Sequence, residues 1–132
     1  MRYPCFLSKG DTIGLVAPSF GVSGYPYYDR YVNAKKKFEE LGYKIKECPS
    51  IYNLEKASSN LPEVRAKEFM DMYLDEEVDF LYSVAGGEIM MEILPYLDFE
   101  KLSNSKPKWF QGYSDNTNLT LTLNTLCDVA SF

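Results

Sequence analysis

Short, nearly continuous apolar runs that end on a proline or a glycine recur along this chain, and longer segments with a helical stripe separate them. Thr12–Ala17 is the clearest run, stopped by Pro18. A strand that is apolar on both faces must be covered on both faces, as in a parallel sheet flanked by helices. Alternation of such strands with amphipathic helices is the pattern of an α/β domain.

The segments between the runs fit that reading. From Tyr27 to Leu41 the apolar positions Tyr27, Tyr31, Ala34, Phe38 and Leu41 advance by steps of four, three, four and three, which is one helix face. Gly42 supplies the left-handed stop. Tyr43–Cys48 reads as a second strand, closed by Pro49. Asn60 reads as a helix cap, with Pro62 in the first turn and Glu63 three residues after the cap; Ala66, Phe69, Met70, Tyr73 and Leu74 continue the apolar face. Val78–Val84 is a third strand, cut by Gly86-Gly87. A helix is expected over 88–94, with Ile89, Met90 and Ile93 inward and Pro95 ending it. Lys108–Gln111 forms a fourth strand and Gly112–Asp115 the turn after it. Over 116–127 leucines alternate with threonines as in a strand, yet Leu119, Leu123 and Leu126 also fit a helix; the β-α order predicts helix. Val129–Phe132 opens a fifth strand. A chain stopping there is expected to be an N-terminal fragment, with an open sheet edge and an uncovered apolar face that self-association would bury.

Composition removes several function classes. At 132 residues the chain is one domain. It has no histidine, so within it no imidazole base and no His-ligated metal exist. A net charge of −5 argues against a nucleic-acid partner. No apolar run approaches the roughly 18 residues of a membrane helix, and Met1–Phe6 shows no signal peptide. Cys5, Cys48 and Cys127 are odd in number and widely spaced, which fits buried structural thiols in the cytoplasm. The Asn118-Leu119-Thr120 sequon reads as chance, and the acidic group Asp71, Asp75, Glu76, Glu77 and Asp79 as a solvated helix end.

Three turns carry chemical interest. In Phe110-Gln111-Gly112-Tyr113-Ser114-Asp115 a serine stands on a tight strand-to-helix turn, where its hydroxyl is pushed out over a helix N-terminus. Gly112 permits the close approach, but Asn116 occupies the place of the second glycine of a nucleophile elbow. Taken alone, the motif reads first as a helix cap and second as a nucleophile. Ala85-Gly86-Gly87 is either an ordinary turn or a pair of backbone donors for an oxyanion. Ala17-Pro18-Ser19 follows the first strand at the same carboxyl edge, where open α/β sheets bind their ligands.

Together these stretches resemble the LD-carboxypeptidase family of serine peptidases, including its microcin-immunity branch. The matching residues are Lys9–Ser19, Gly86-Gly87 with Leu94–Phe99, and Pro107-Lys108 leading into Gly112–Asp115, in the same order and spacing. The resemblance implies a flavodoxin-like three-layer α/β/α fold with a mostly parallel sheet, incomplete here at its C-terminus. It implies that residues 1–132 are the N-terminal, nucleophile-bearing domain of a dimeric enzyme. It makes Ser114 the catalytic nucleophile and gives the oxyanion hole to the amides of Gly87, Asp115 and Gly86. Ser19 is expected to contact substrate. The catalytic histidine and its glutamate belong to a C-terminal domain absent from this chain, so the fragment alone is expected to be inactive. No metal and no organic cofactor is implied. Ala85 stands where many LD-carboxypeptidases have an arginine, which shifts the expected substrate from murein peptide toward a peptidyl-nucleotide, and Glu88 replaces an aromatic residue, which alters the expected pocket shape. The rival is a non-catalytic flavodoxin-like module whose glycine and Ser19 turns hold a small anion. A glutamine amidotransferase would need cysteine at position 114.

Overall fold

The computed structural model describes all 132 residues. Four strands form one parallel sheet: β1 (Thr12–Val16), β2 (Lys44–Glu47), β3 (Phe80–Ser83) and β4 (Trp109–Gln111). Their order is β2-β1-β3-β4, with every pair parallel. The helices are α1 (Tyr27–Glu40), α2 (Pro62–Leu74), α3 (Phe99–Asn104) and α4 (Thr117–Leu126). The chain runs outward from β1 to β2 and then returns to β3 on the other side of β1. That reversal places the switch point between the carboxyl ends of β1 and β3, where doubly wound sheets bind ligands.

The two faces are covered unequally. On one side Phe69 of α2 meets Phe110 of β4 edge-on at 5.5 Å between ring centres. Gly14 lies so close to Val78 that a Cβ there would sit 2.8 Å from a Val78 methyl. Ile51, Ala66, Tyr73, Leu81, Met90, Ile93, Leu102, Leu119 and Leu123 are buried with them. On the other side α1 lies alone, with Phe38 against Tyr82 at 5.7 Å. Beyond it the sheet ends in an aromatic surface in which Trp109 packs on Phe6 and Phe132, both largely exposed.

Five local expectations change. Asn60 does not cap α2: its amide donates to Ser50 Oγ and its own oxygen accepts from the Leu61 amide. The segment after the glycine pair is a 3-10 stretch, Met90–Tyr96, containing Pro95 rather than ending before it. A short helix unforeseen in the sequence, α3, follows it, capped by Asp98, which accepts from the Lys101 amide. Residues 129–132 are not a formed strand, although the Phe132 amide donates to Phe110 and the Phe132 carbonyl accepts from Gly112, continuing the parallel ladder past β4. The α1 stripe is not core throughout: Tyr31 is buried, but Tyr27 and Ala34 are exposed. Residues 117–126 are helical, as the β-α order required, and form α4. Its threonines satisfy themselves locally, for example Thr122 Oγ1 donating to Asn118 O. Of the cysteines, Cys48 and Cys127 are buried and Cys5 is exposed.

Lys108, at the entry to β4, is 2% exposed and donates its ammonium to the carbonyl of Asp75 at the end of α2. Burial lowers its pKa to about 8. An unfolded lysine titrates near 10.4. Between those values the unfolded chain holds a proton that the folded chain has released, so this group's contribution to stability rises with pH. The Lys108→Met variant lacks it. Urea unfolding of both proteins at pH 7.5, 9 and 10.5 is expected to show the wild type gaining up to about 3 kcal/mol relative to the variant across that range.

Candidate active site

The three turns singled out in the sequence meet at the carboxyl edge of β1, β3 and β4. Ser114 is exposed and adopts a φ of +62°, a left-handed conformation that costs a non-glycine residue roughly 1–2 kcal/mol. Such strain persists only where surrounding contacts impose it. Here the contacts come from Asn116, which is 1% exposed. Its amide nitrogen donates to Ala85 O at 2.9 Å and Tyr113 O at 3.2 Å, and its oxygen accepts from Ser83 Oγ at 3.2 Å. The residue in place of the second elbow glycine is therefore the bolt between the serine turn and the glycine turn.

Gly86 lies directly against Ser114. A Cβ at Gly86 would sit 2.8 Å from Ser114 Cβ and 3.1 Å from its Oγ. Gly87 faces the first turn instead: a Cβ there would meet Ser19 Oγ at 2.1 Å and the Phe20 ring at 2.6 Å. The Phe20 amide donates to Gly86 O at 3.3 Å. Glycine at 86 and 87 is thus a packing requirement, since any side chain would push these turns apart.

Ser19 is fully buried and donates to Asp115 Oδ2 at 2.5 Å. Its hydroxyl is spent inside the protein, not presented to the cleft. The same carboxylate oxygen accepts the Met90 amide at 3.0 Å, while Oδ1 is buried without a partner. Asp115 therefore ties the β1 turn to the segment after the glycine pair. Beneath them lies Arg65, 1% exposed, a residue that no sequence motif marks. It donates to Pro18 O at 2.8 Å, Ile89 O at 3.3 Å and Asn60 O at 2.9 Å, and pairs with Glu92 at 2.8 Å. Ser59 Oγ adds a bond to Ala17 O at 2.6 Å. The one signal for Arg65 is its phase: it lies four residues before Phe69, on the apolar stripe of α2, where a charge has no place unless it is paired.

The arrangement offers one exposed hydroxyl on a strained turn, packed beside a glycine pair that leaves no room for side chains. A cavity of about 460 Å³ lined by Gly86 and Ser114 lies between α1 and the sheet.

Residues 13–132 match the family model described as the LD-carboxypeptidase N-terminal domain. The chain belongs to the LD-carboxypeptidase family. A Vibrio cholerae protein with a provisional name as a carboxypeptidase is 32% identical over 121 residues, 92% of this chain and 36% of its own length. A Bacillus subtilis protein provisionally named as a murein peptide carboxypeptidase is 30% identical over 129 residues, 98% of this chain and 39% of its own. The microcin C7 self-immunity protein MccF of Escherichia coli is 26% identical over 113 residues, 86% of this chain and 32% of its own. A solved structure of MccF with aspartyl sulfamoyl adenosine superposes with a TM-score of 0.89 at 23% identity, over 97% of this chain and 38% of that one. The α/β fold is thus that of the LD-carboxypeptidase N-terminal domain, and the chain spans between about a third and two fifths of the length of these curated relatives. No helix of this LD-carboxypeptidase domain is long and apolar enough to cross a membrane.

Proposed function

We propose that these 132 residues are the nucleophile-bearing part of a longer cytoplasmic serine peptidase that cleaves an amide bond through an acyl-enzyme. The observation that carries this reading is Ser114, exposed at positive φ and in contact with Gly86. In the proposed reaction Ser114 Oγ attacks the carbonyl carbon as its proton passes to a base. The carbonyl oxygen becomes an oxyanion held by the amides of Gly87 and Asp115, with Gly86 beside them. The amine leaves, protonated by the same base, and water then hydrolyses the ester. Serine is a weak nucleophile near pH 7 without a base, and this chain has no histidine. The base and its orienting glutamate are therefore assigned to a C-terminal domain, in keeping with the greater length of the relatives. Ser19 and the Asp115 side chain become positioning groups rather than substrate contacts.

The proposed substrate is a peptidyl or aminoacyl group joined through an amide nitrogen to a nucleotide-like moiety. Ala85 before the glycine pair provides no guanidinium to clamp a murein peptide carboxylate, and MccF has been solved with an aminoacyl sulfamoyl adenosine. The open aromatic surface around Trp109 supports assembly with the C-terminal domain and a second copy, and the unpaired cysteines support the cytoplasm. The test is amino-acid release from an amide-linked aminoacyl-nucleotide by the full gene product, its Ser114→Ala variant and the 132-residue chain. Release is expected from the first alone; release by the short chain would overturn the division of the catalytic groups.

A further inference from the structure

The apolar stripe of α1 does not close onto the sheet. Its middle residue is alanine, and Ala34 stays exposed between the buried Tyr31 and the half-buried Phe38. Nothing longer fills the space, which leaves the cavity of about 460 Å³. Leu15, Tyr82 and Val84 line it from the sheet side and Tyr27, Ala34 and Phe38 from the helix, with Arg30, Lys35 and Glu88 completing a lining that is mostly apolar. An apolar cavity of roughly 150 Å³ already holds a benzene ring, and ligand pockets run from about 300 to 1,000 Å³. This one therefore has room for an aryl group together with the atoms that join it to a carbonyl. Ser114, Gly86 and Gly87 are part of its lining. Both groups bonded to a carbonyl carbon at Ser114, the acyl carbon and the leaving nitrogen, are within reach of it, and the apolar wall of Leu15, Tyr82, Val84 and Phe38 fits an apolar acyl side chain better than a polar nucleotide.

We infer that the cavity under α1 is the acyl-side specificity pocket and takes an aromatic or large branched apolar side chain on the residue whose carbonyl Ser114 attacks. This rests on the reading of Ser114 as nucleophile and adds the class of acyl group. Tyr27 and Phe38 place aromatic rings in the lining, and the short side chain of Ala34 leaves the depth. The occupant is a substrate side chain rather than a second copy, because the nucleophile itself lines the cavity.

Boronic acids test this on the full gene product, which supplies the base that these 132 residues lack. Ser114 Oγ forms a bond to boron, the hydroxyl proton leaves to solvent, and boron becomes a tetrahedral anion with all its other bonds intact. Benzylboronic and methylboronic acid are titrated at pH 8.5, with boron-11 NMR reading the adduct and amide spectra reading the pocket. Benzylboronic acid is expected to bind about tenfold tighter or more, from burial of its ring, with shifts at Leu15, Ala34 and Val84. In Ala34→Trp the benzyl-to-methyl ratio is expected to fall toward one, and in Ala34→Leu to an intermediate value. Equal affinities, or a ratio unmoved by Ala34→Trp, overturn the pocket while leaving the nucleophile in place. If neither reagent gives an adduct that Ser114→Ala removes, the nucleophile reading fails. Benzyl alcohol then decides the pocket alone: shifts at the same amides support an aryl site, and their absence overturns it. Shifts at those amides on dilution without any reagent would show a second copy in the cavity and also overturn the inference.

Discussion

Arg65→Met is expected to remove about 3–5 kcal/mol of folding stability, read as a lower urea midpoint at unchanged slope. The guanidinium is buried and donates to the carbonyls of Pro18, Ile89 and Asn60, three segments with no sheet or helix of their own to hold them. Methionine fills similar space but leaves those acceptors dry and unpaired, at about 1–3 kcal/mol each before relaxation. A domain of this size has roughly 7–20 kcal/mol in total, so the loss is a large share. Arg65→Lys is expected to recover little, because one ammonium on a flexible stem cannot span three carbonyls in a plane. The loss is local in origin: amide exchange is expected to speed first at residues 18–22 and 85–90. Uniform acceleration across β1 and β3 would show that Arg65 supports the whole core instead of the turns.

Gly87→Ala is expected to cost less in stability and far more in reactivity. The added methyl meets Ser19 Oγ at 2.1 Å and two Phe20 ring carbons at 2.6 and 2.8 Å. Ser19 cannot retreat, since it is buried and bonded to Asp115, so the 86–88 backbone must move. Overpacking of this kind costs about 1–3 kcal/mol. Displacing an oxyanion donor lowers the rate by about 10²–10³. In the full gene product, phosphonate labelling of Gly87→Ala is therefore expected to slow by about two orders of magnitude while the melting curve stays cooperative. A labelling rate within threefold of wild type would remove Gly87 from the oxyanion hole.

Much of this architecture is legible in the sequence because its signals are local. Thr12–Val16 and Phe80–Ser83 are apolar on both faces and form the central strands. The steps of four and three place α1, and the β-α order settles α4 against its own threonine-rich propensity. What stays hidden depends on contacts between distant residues. Asp98 caps α3 through one local bond, but the helix is only six residues long and has no periodic pattern to reveal it. Arg65 and Asn116 look like surface residues one at a time; their roles arise from carbonyls 24 to 47 and 31 positions away. Ser19 stands at the carboxyl edge as its motif implies, yet its direction, inward to Asp115, depends on a turn 96 residues later. Ala34 shows the opposite error: its spacing matches a core stripe, but a methyl group is too short to close the gap to the sheet.

Ser114 is the attacking group on which the proposed reaction depends. Incubating the full gene product with a serine-directed fluorophosphonate and mapping the adduct by peptide mass spectrometry measures this most directly. One adduct on Ser114, absent from the Ser114→Ala variant, is the result expected. An adduct on any other residue, with Ser114 unmodified, would contradict it.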